Sequence, residues 1–218
     1  MSKIVRWDNG EVICEKEDMS LKELAEYCAL KGISMDYAQL NGAELNGAAL
    51  NNAVLIGANL NWAELNNAIL NNAVLIGARL NNAQINDAEL NNAILNNAVL
   101  NNAELRGAEL RGAKLNWAKL NNAELNGGAL NNAELSGAEL NWVSGALKGF
   151  INAQLGRYHV VCCSNGQVAI GCEQHSIGEW INFTDEEISD MDSGALEWWR
   201  GHKTIILANS EHVNKGLE

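Results

Sequence analysis

Cys162, Cys163, Cys172 and His175, with His159 nearby in the chain, are the residue types that hold zinc. Their spacing does not assemble a site. Adjacent cysteines on a strand point to opposite sides, and a single Cys-x-x-His lacks the second pair that a knuckle needs, so these residues read as buried thiols with an ordinary histidine and no metal is expected. A second chemistry would be proton exchange between carboxylates. Glu44, Glu64, Glu104 and Glu124, with Gln84 between them, recur at a spacing of twenty and would form an acidic ladder. Acid–base catalysis also needs a cleft that removes water from such groups. Neither a nucleophile with its base nor a cofactor loop stands out, so no catalytic residue and no cofactor is assigned, and the chain reads as a non-enzyme.

The scaffold must be folded and water-soluble. With 218 residues, 47% hydrophobic and 19% charged, the chain can bury a sizeable core. A net charge of −12 repels phosphate, so no direct contact with nucleic acid is expected. No run of 18 apolar residues occurs, which excludes a membrane-spanning helix. The start, Met1 to Arg6, is not followed by a signal-peptide core, and five cysteines are an odd number for a disulfide framework. Both features point to the cytoplasm.

From Leu40 to Leu140 an aliphatic residue returns every fifth position, with Ile85 the one exception to Leu; two places earlier stands Ala, or Gly128. Twenty-one such units match neither the 3.6 period of a helix nor a heptad. Each unit, such as Ala43-Glu44-Leu45-Asn46-Gly47, reads in-out-in and then a corner that tolerates left-handed backbone. Four sides close a coil of 20 residues, because Ala beside each Leu lets opposite sides approach without a void. Parallel stacking at about 4.8 Å then predicts roughly five coils and a rod about 25 Å long.

Units such as Ala58-Asn59-Leu60-Asn61-Trp62 and Ala103-Glu104-Leu105-Arg106-Gly107 resemble those of the pentapeptide-repeat proteins, over residues 38–142. That resemblance implies a mainly β fold, a right-handed quadrilateral β-helix. One departure is visible: the family places Asp or Asn between the two inward residues, whereas Glu, Val, Ile, Lys and Gln mix there in this chain and Asn follows the large residue instead.

Every twentieth residue shares a column on the surface of such a coil. Beside the acidic ladder, Val54, Val74 and Ile94 form one column and Ile56 and Ile76 its neighbour, with Ile69 and Val99 at the edges. This apolar patch marks a contact site or a place where a terminal segment folds back. Asn fills 16 of the 21 positions after the inward Leu or Ile and is expected to stack amide to amide. Trp62, Trp117 and Trp142 at the corners are either binding anchors or corner caps.

The flanks break the repeat. Asp8-Asn9-Gly10 predicts a tight hairpin, and Ser20 to Glu23 opens a helix closed by Gly32; residues 1–37 are expected to cap the first coil. The coil is assigned to residues 38–157, with a weak register through Phe150 and Leu155. In residues 158–218, strands Tyr158 to Cys163 and Gln167 to Cys172 flank the turn Ser164-Asn165-Gly166, and capping boxes start helices at Ser176 and Thr184. The last helix carries an apolar stripe of Ala195, Trp198, Trp199, His202, Ile205 and Ile206, which must pack on the coil or on another chain. Around Ile170 to His175 and this helix, the tail resembles C-terminal segments attached to pentapeptide-repeat proteins of bacteria and phages.

These features favour a non-catalytic protein–protein interaction or scaffold module, with Val54, Ile56, Ile69, Val74, Ile76, Ile94, Trp198 and Trp199 as its candidate contacts. The patch or the terminal helix offers a surface for a homodimer. The family resemblance implies an alternative: some members imitate duplex DNA and bind gyrase. Residues 38–142 hold nine acids and five bases, a mild field for such a mimic.

Overall fold

The computed structural model describes residues 1–130, 133–135, 137–140, 143, 152–155, 158–162 and 167–215. Trp142, Ser136, Phe150, Cys163 and the turn at 164–166 lie outside the described residues, as do the side chains of Leu155, His159, Cys162 and Ile205.

The five-residue period becomes a mainly β coil. Each outward middle residue bridges in parallel to the residue twenty further on, as in Glu44 to Glu64 and Val54 to Val74, and the series runs from Gln39 to Glu139. The side is shorter than a three-residue strand, since one residue per side makes the bridge. Glu64 N donates to Ala43 O at 2.9 Å and Leu45 N to Glu64 O at 2.7 Å, so the ladder closes around that residue. At the corner, Ala48 N donates to Leu45 O at 3.0 Å across Asn46 and Gly47, and Gly47 has φ +65°. A four-residue turn with positive φ at its third position is of type II, which selects Gly or Asn there. Asn52, Asn67, Asn72 and Gly57 take the same conformation at equivalent corners.

Inward positions are filled by Leu or Ile with Ala from Ala38 to Leu125. Leu45, Leu65, Leu95 and Leu125 and their Ala partners are essentially inaccessible, and Ile85 fits the same stack. Burial of each Leu contributes about 1.5–3 kcal/mol, so the column drives the coil together.

The start of the chain lies over the first coil. Strands β1 (Ser2–Val5) and β2 (Val12–Lys16) pair antiparallel, with a register shift between Ile4 and Val5. The turn is wider than the Asn-Gly dipeptide predicts: Gly10, at φ +78°, donates from N to Arg6 O at 3.0 Å across five residues. Helix α1 (Leu21–Lys31) begins at the Ser20/Glu23 capping box and ends at left-handed Gly32. Lys22 Nζ donates to Asn46 O at 2.7 Å, and Glu26 Oε1 accepts from Ala49 N at 3.0 Å. One turn of helix therefore partners a carbonyl and an amide of the first coil that have no coil beneath them.

Beyond the coil, β3 (Asn152–Leu155), β4 (Tyr158–Cys162), β5 (Gln167–Ile170) and β6 (Glu173–Ser176) make an antiparallel sheet in that order. The expected hairpin is the middle of this sheet. Gly171, at φ +61°, reverses the chain into β6, so the strand expected to reach Cys172 ends at Ile170 and a further strand follows it. Three helices follow: α2 (Ile177–Asn182), α3 (Asp185–Met191) and α4 (Ala195–Lys215), the first two opened by the expected capping boxes at Ser176 and Thr184.

Within the C-terminal unit the stripe of helix α4 meets aromatic rings, where Trp199 lies 5.3 Å from Trp180 of α2 and Trp198 lies 4.8 Å from Tyr158 of β4. The cover comes from aromatic rings of the two preceding motifs, which no periodicity marks.

Candidate functional site

Asn at the first corner position supplies an acceptor one coil onward. Asn46 Oδ1 accepts from Asn66 N at 3.0 Å, Asn66 Oδ1 from Asn86 N at 3.1 Å, and Asn86 Oδ1 from Arg106 N at 3.0 Å. The main partner is thus a backbone amide rather than a neighbouring side-chain amide. Amide-to-amide bonds do occur between Asn81 and Asn61 and between Asn86 and Asn66, each at 3.0 Å. The reason is that a corner N–H lies outside the ladder and a paired backbone donor is worth more than a surface amide contact.

The same asparagines hold the acidic ladder. Asn46 Nδ2 donates to Glu64 at 2.8 Å, and Asn86 Nδ2 to Glu104 at 3.1 Å. Glu44, Glu64, Gln84, Glu104 and Glu124 do share one column. Their repulsion is relieved in two ways: Gln84 interrupts the column, and Arg106 pairs with both Glu104, at 2.8 Å, and Glu124. On the adjacent face Asn91 and Arg111 both bond Glu109, holding its carboxyl below the usual range and hence ionised. Such carboxylates suit binding rather than proton donation.

The apolar columns are brought together: Val54 bridges Val74, which bridges Ile94, while Ile69 lies on the face beside them, bridged to Ala49 and Glu89. Val54, Ile56, Ile69, Val74, Ile76 and Ile94 are half-buried, because each covers part of the next. The N-terminal segment reaches one edge of this patch. Trp7 Nε1 donates to Gly57 O at 2.9 Å, Asp36 Oδ1 accepts from Ile56 N at 3.2 Å, and the Arg79 guanidinium lies 4.3 Å from the Trp7 ring. Ile56 and Ile76 also interrupt the asparagine rule. Neither can offer an acceptor to the corner amide above it, so these residues forgo a bond that Asn makes elsewhere.

Among the described residues Trp62 and Trp117 are the most exposed tryptophans, at 66% and 65%, and both have positive φ at the corner. Trp198 and Trp199 differ. Trp199 is buried and Trp198 half-buried, and their rings lie against those of Trp180 and Tyr158. His202 is buried beside them, stacked 4.6 Å from Trp198 with Nδ1 donating to Trp198 O at 2.8 Å; burial lowers its pKa despite that bond. Trp180, which carries this cluster and donates from Nε1 to Val168 O at 2.8 Å, was missed by the sequence reading. Its signal was a lone aromatic just inside a capped helix.

Cys172 is exposed, and His175 lies between Trp180 and Phe183 with Nε2 3.4 Å from Glu173. Among the described residues no group of His, Cys, Asp or Glu is arranged to hold a metal ion. No helix among them is long and apolar enough to cross a membrane.

The pentapeptide-repeat family model, in eight copies, matches residues 33–72, 58–97, 84–122 and 113–144, just over half of the chain. No curated protein matches it. Among solved structures, a pentapeptide repeat protein of the cyanobacterium Cyanothece 51142 is 34% identical, with a TM-score of 0.36 over 40% of this chain and 63% of its own. A pentapeptide repeat protein of the Arabidopsis thaliana thylakoid lumen is 27% identical, with a TM-score of 0.35 over 48% and 69%. QnrB1, a plasmid-mediated fluoroquinolone resistance protein, is 14% identical, with a TM-score of 0.31 over 46% and 76%. This chain thus spans a little under two thirds of the cyanobacterial protein.

Proposed function

Because this chain belongs to the pentapeptide-repeat family, we propose that it is a non-catalytic protein–protein interaction or scaffold module of bacterial or phage origin, acting in the cytoplasm. Its coil, residues 38–157, is the right-handed quadrilateral β-helix of that family; residues 1–37 cap it, and residues 158–218 form an appended unit. The observation that carries the reading is the apolar patch. Ile56 and Ile76 replace the Asn that serves the backbone at equivalent corners, which weakens the coil while placing aliphatic surface outside a core already filled by Leu and Ala. Surface that costs backbone bonding is explained by a partner.

The test compares wild type with Ile56→Glu and Ile76→Glu by mass in solution and by affinity capture from the host. Both variants are expected to keep the coil's thermal transition and to lose self-association or partner recovery. Identical behaviour would remove the patch as a contact. DNA mimicry toward gyrase is the weaker reading, since Arg106, Arg111, Lys114 and Lys119 each pair with a carboxylate and dilute the field of the rod. Absence of any effect on supercoiling at micromolar protein would end it.

A further inference from the structure

Two cysteines meet in the N-terminal cap, and the interaction reading uses neither. Cys14 lies on β2 opposite buried Ile4 of β1 and is half-buried against the core. Cys28 is fully buried on the inward face of α1 with Leu24 and Ala25. The two side chains hydrogen-bond across the gap between strand and helix, and both are free thiols. Burial, and then the bond with Cys14, raises the pKa of Cys28, so this sulfur keeps its proton and is inert toward reagents in solution. Cys14, only half-buried, is the member of the pair that a small reagent reaches first.

We propose that Cys14 and Cys28 are a reversible disulfide site, oxidised by a low-molecular-weight disulfide of the glutathione class, and that closing it fastens the cap to the first coil. Cys14 loses its proton and attacks one sulfur of the small disulfide, which forms a mixed disulfide and releases one small thiol. The Cys28 sulfur then attacks the Cys14 sulfur, and its proton leaves with the second small thiol. The protein gives up two hydrogens and two electrons, and the small disulfide becomes two thiols. Cys28 is a poor nucleophile toward free reagents, but a neighbour already in hydrogen-bond contact replaces an encounter in solution. From that contact the sulfurs have a short way to go to the bonded separation of about 2.05 Å. The consequence follows from position. Lys22 and Glu26, which bond Asn46 O and Ala49 N of the first coil, lie inside the ring that a Cys14–Cys28 bond closes. Closing that ring removes conformations from the opened segment, so the oxidised cap leaves the coil less often. In a reducing compartment such a pair is a transient sensor rather than a permanent staple.

The experiment incubates the full chain with graded ratios of glutathione disulfide to glutathione, quenches in acid and maps linked peptides by mass spectrometry, with hydrogen exchange at Ala49 N followed on the same samples. A peptide pair joining Cys14 to Cys28 is expected, lighter by two hydrogens and split by dithiothreitol, while exposed Cys172 carries glutathione as the control. Exchange at Ala49 N is expected to slow about tenfold in the linked form. Cys28→Ala is expected to leave glutathione on Cys14 and to abolish the slowing. The site is overturned if Cys28 is not linked to Cys14 at any ratio, whether Cys14 stays free or holds glutathione, or if the link forms only in denaturant. A link that leaves exchange at Ala49 N unchanged overturns the fastening of the cap. These results are read on the unmodified protein, so misfolding of a variant does not shield the idea.

Discussion

Leu95 in the coil and Trp199 in the C-terminal unit are both buried, but what covers them differs in kind. Leu95 is enclosed by coils built on the same five-residue rule as its own, whereas Trp199 is enclosed by Trp180 from another helix and by residues of a sheet. In the first region a local pattern already states what the neighbour is. In the second, burial depends on unlike elements meeting, and no short-range pattern states it.

The largest effect should come from removing each cover. Trp199→Ala is expected to cost about 3–5 kcal/mol and Leu95→Ala about 2–5 kcal/mol. If the regions are energetically distinct, hydrogen exchange after Trp199→Ala will rise in β4, β5, α2 and α4 and leave the coil protected; Leu95→Ala will spread along the coil, as nearest-neighbour repeats do. Equal loss in both regions for either variant would show one cooperative unit and dissolve the comparison.

A smaller effect sharpens the corner rule. Gly77 and Gly137 have φ of +64° and +67°, so Ala at either costs about 1–2 kcal/mol for its left-handed backbone. At Gly77 nothing lies within 4 Å of an added Cβ, while at Gly137 that atom would land on the Trp117 ring. Gly137→Ala is therefore expected to destabilise more than Gly77→Ala, and Trp117→Ala to erase the difference in a double-mutant cycle measured by denaturant unfolding. Equal costs with and without Trp117 would show that the ring is not seated on that glycine.

The smallest effect belongs to the C-terminal unit. His202 has its pKa lowered by burial, so the unfolded chain takes up a proton at higher pH than the folded one. Its contribution is present above the unfolded value of about 6.5 and is lost as pH falls from there through the lower folded value. The thermal midpoint of this unit is expected to fall more steeply below that pH in wild type than in His202→Phe. Parallel profiles would assign the acid sensitivity elsewhere.

Legibility in the sequence followed the same division. The inward Leu and Ala columns, the left-handed corners, the capping boxes of α1, α2 and α3 and the residues sharing each face were readable, because each depends on neighbours at a fixed spacing. Strand β6 was not, since Gly171 turns the chain inside what reads as a continuous segment. The role of Asn was half readable: stacking was expected, but the greater need of the corner amides decides its partner. The candidate contacts divided likewise: Val54, Val74 and Ile94 share one face through a fixed spacing, whereas Trp198 and Trp199 lie against the rings of Tyr158 and Trp180, which no periodicity announces.

The bonds of Lys22 and Glu26 to Asn46 O and Ala49 N give the molecule a direction. A stack of parallel coils is in principle a polymer that lengthens wherever an open rung meets another molecule's rung. Helix α1 occupies two of those rungs with groups of its own chain, so neither is open to a rung of another molecule.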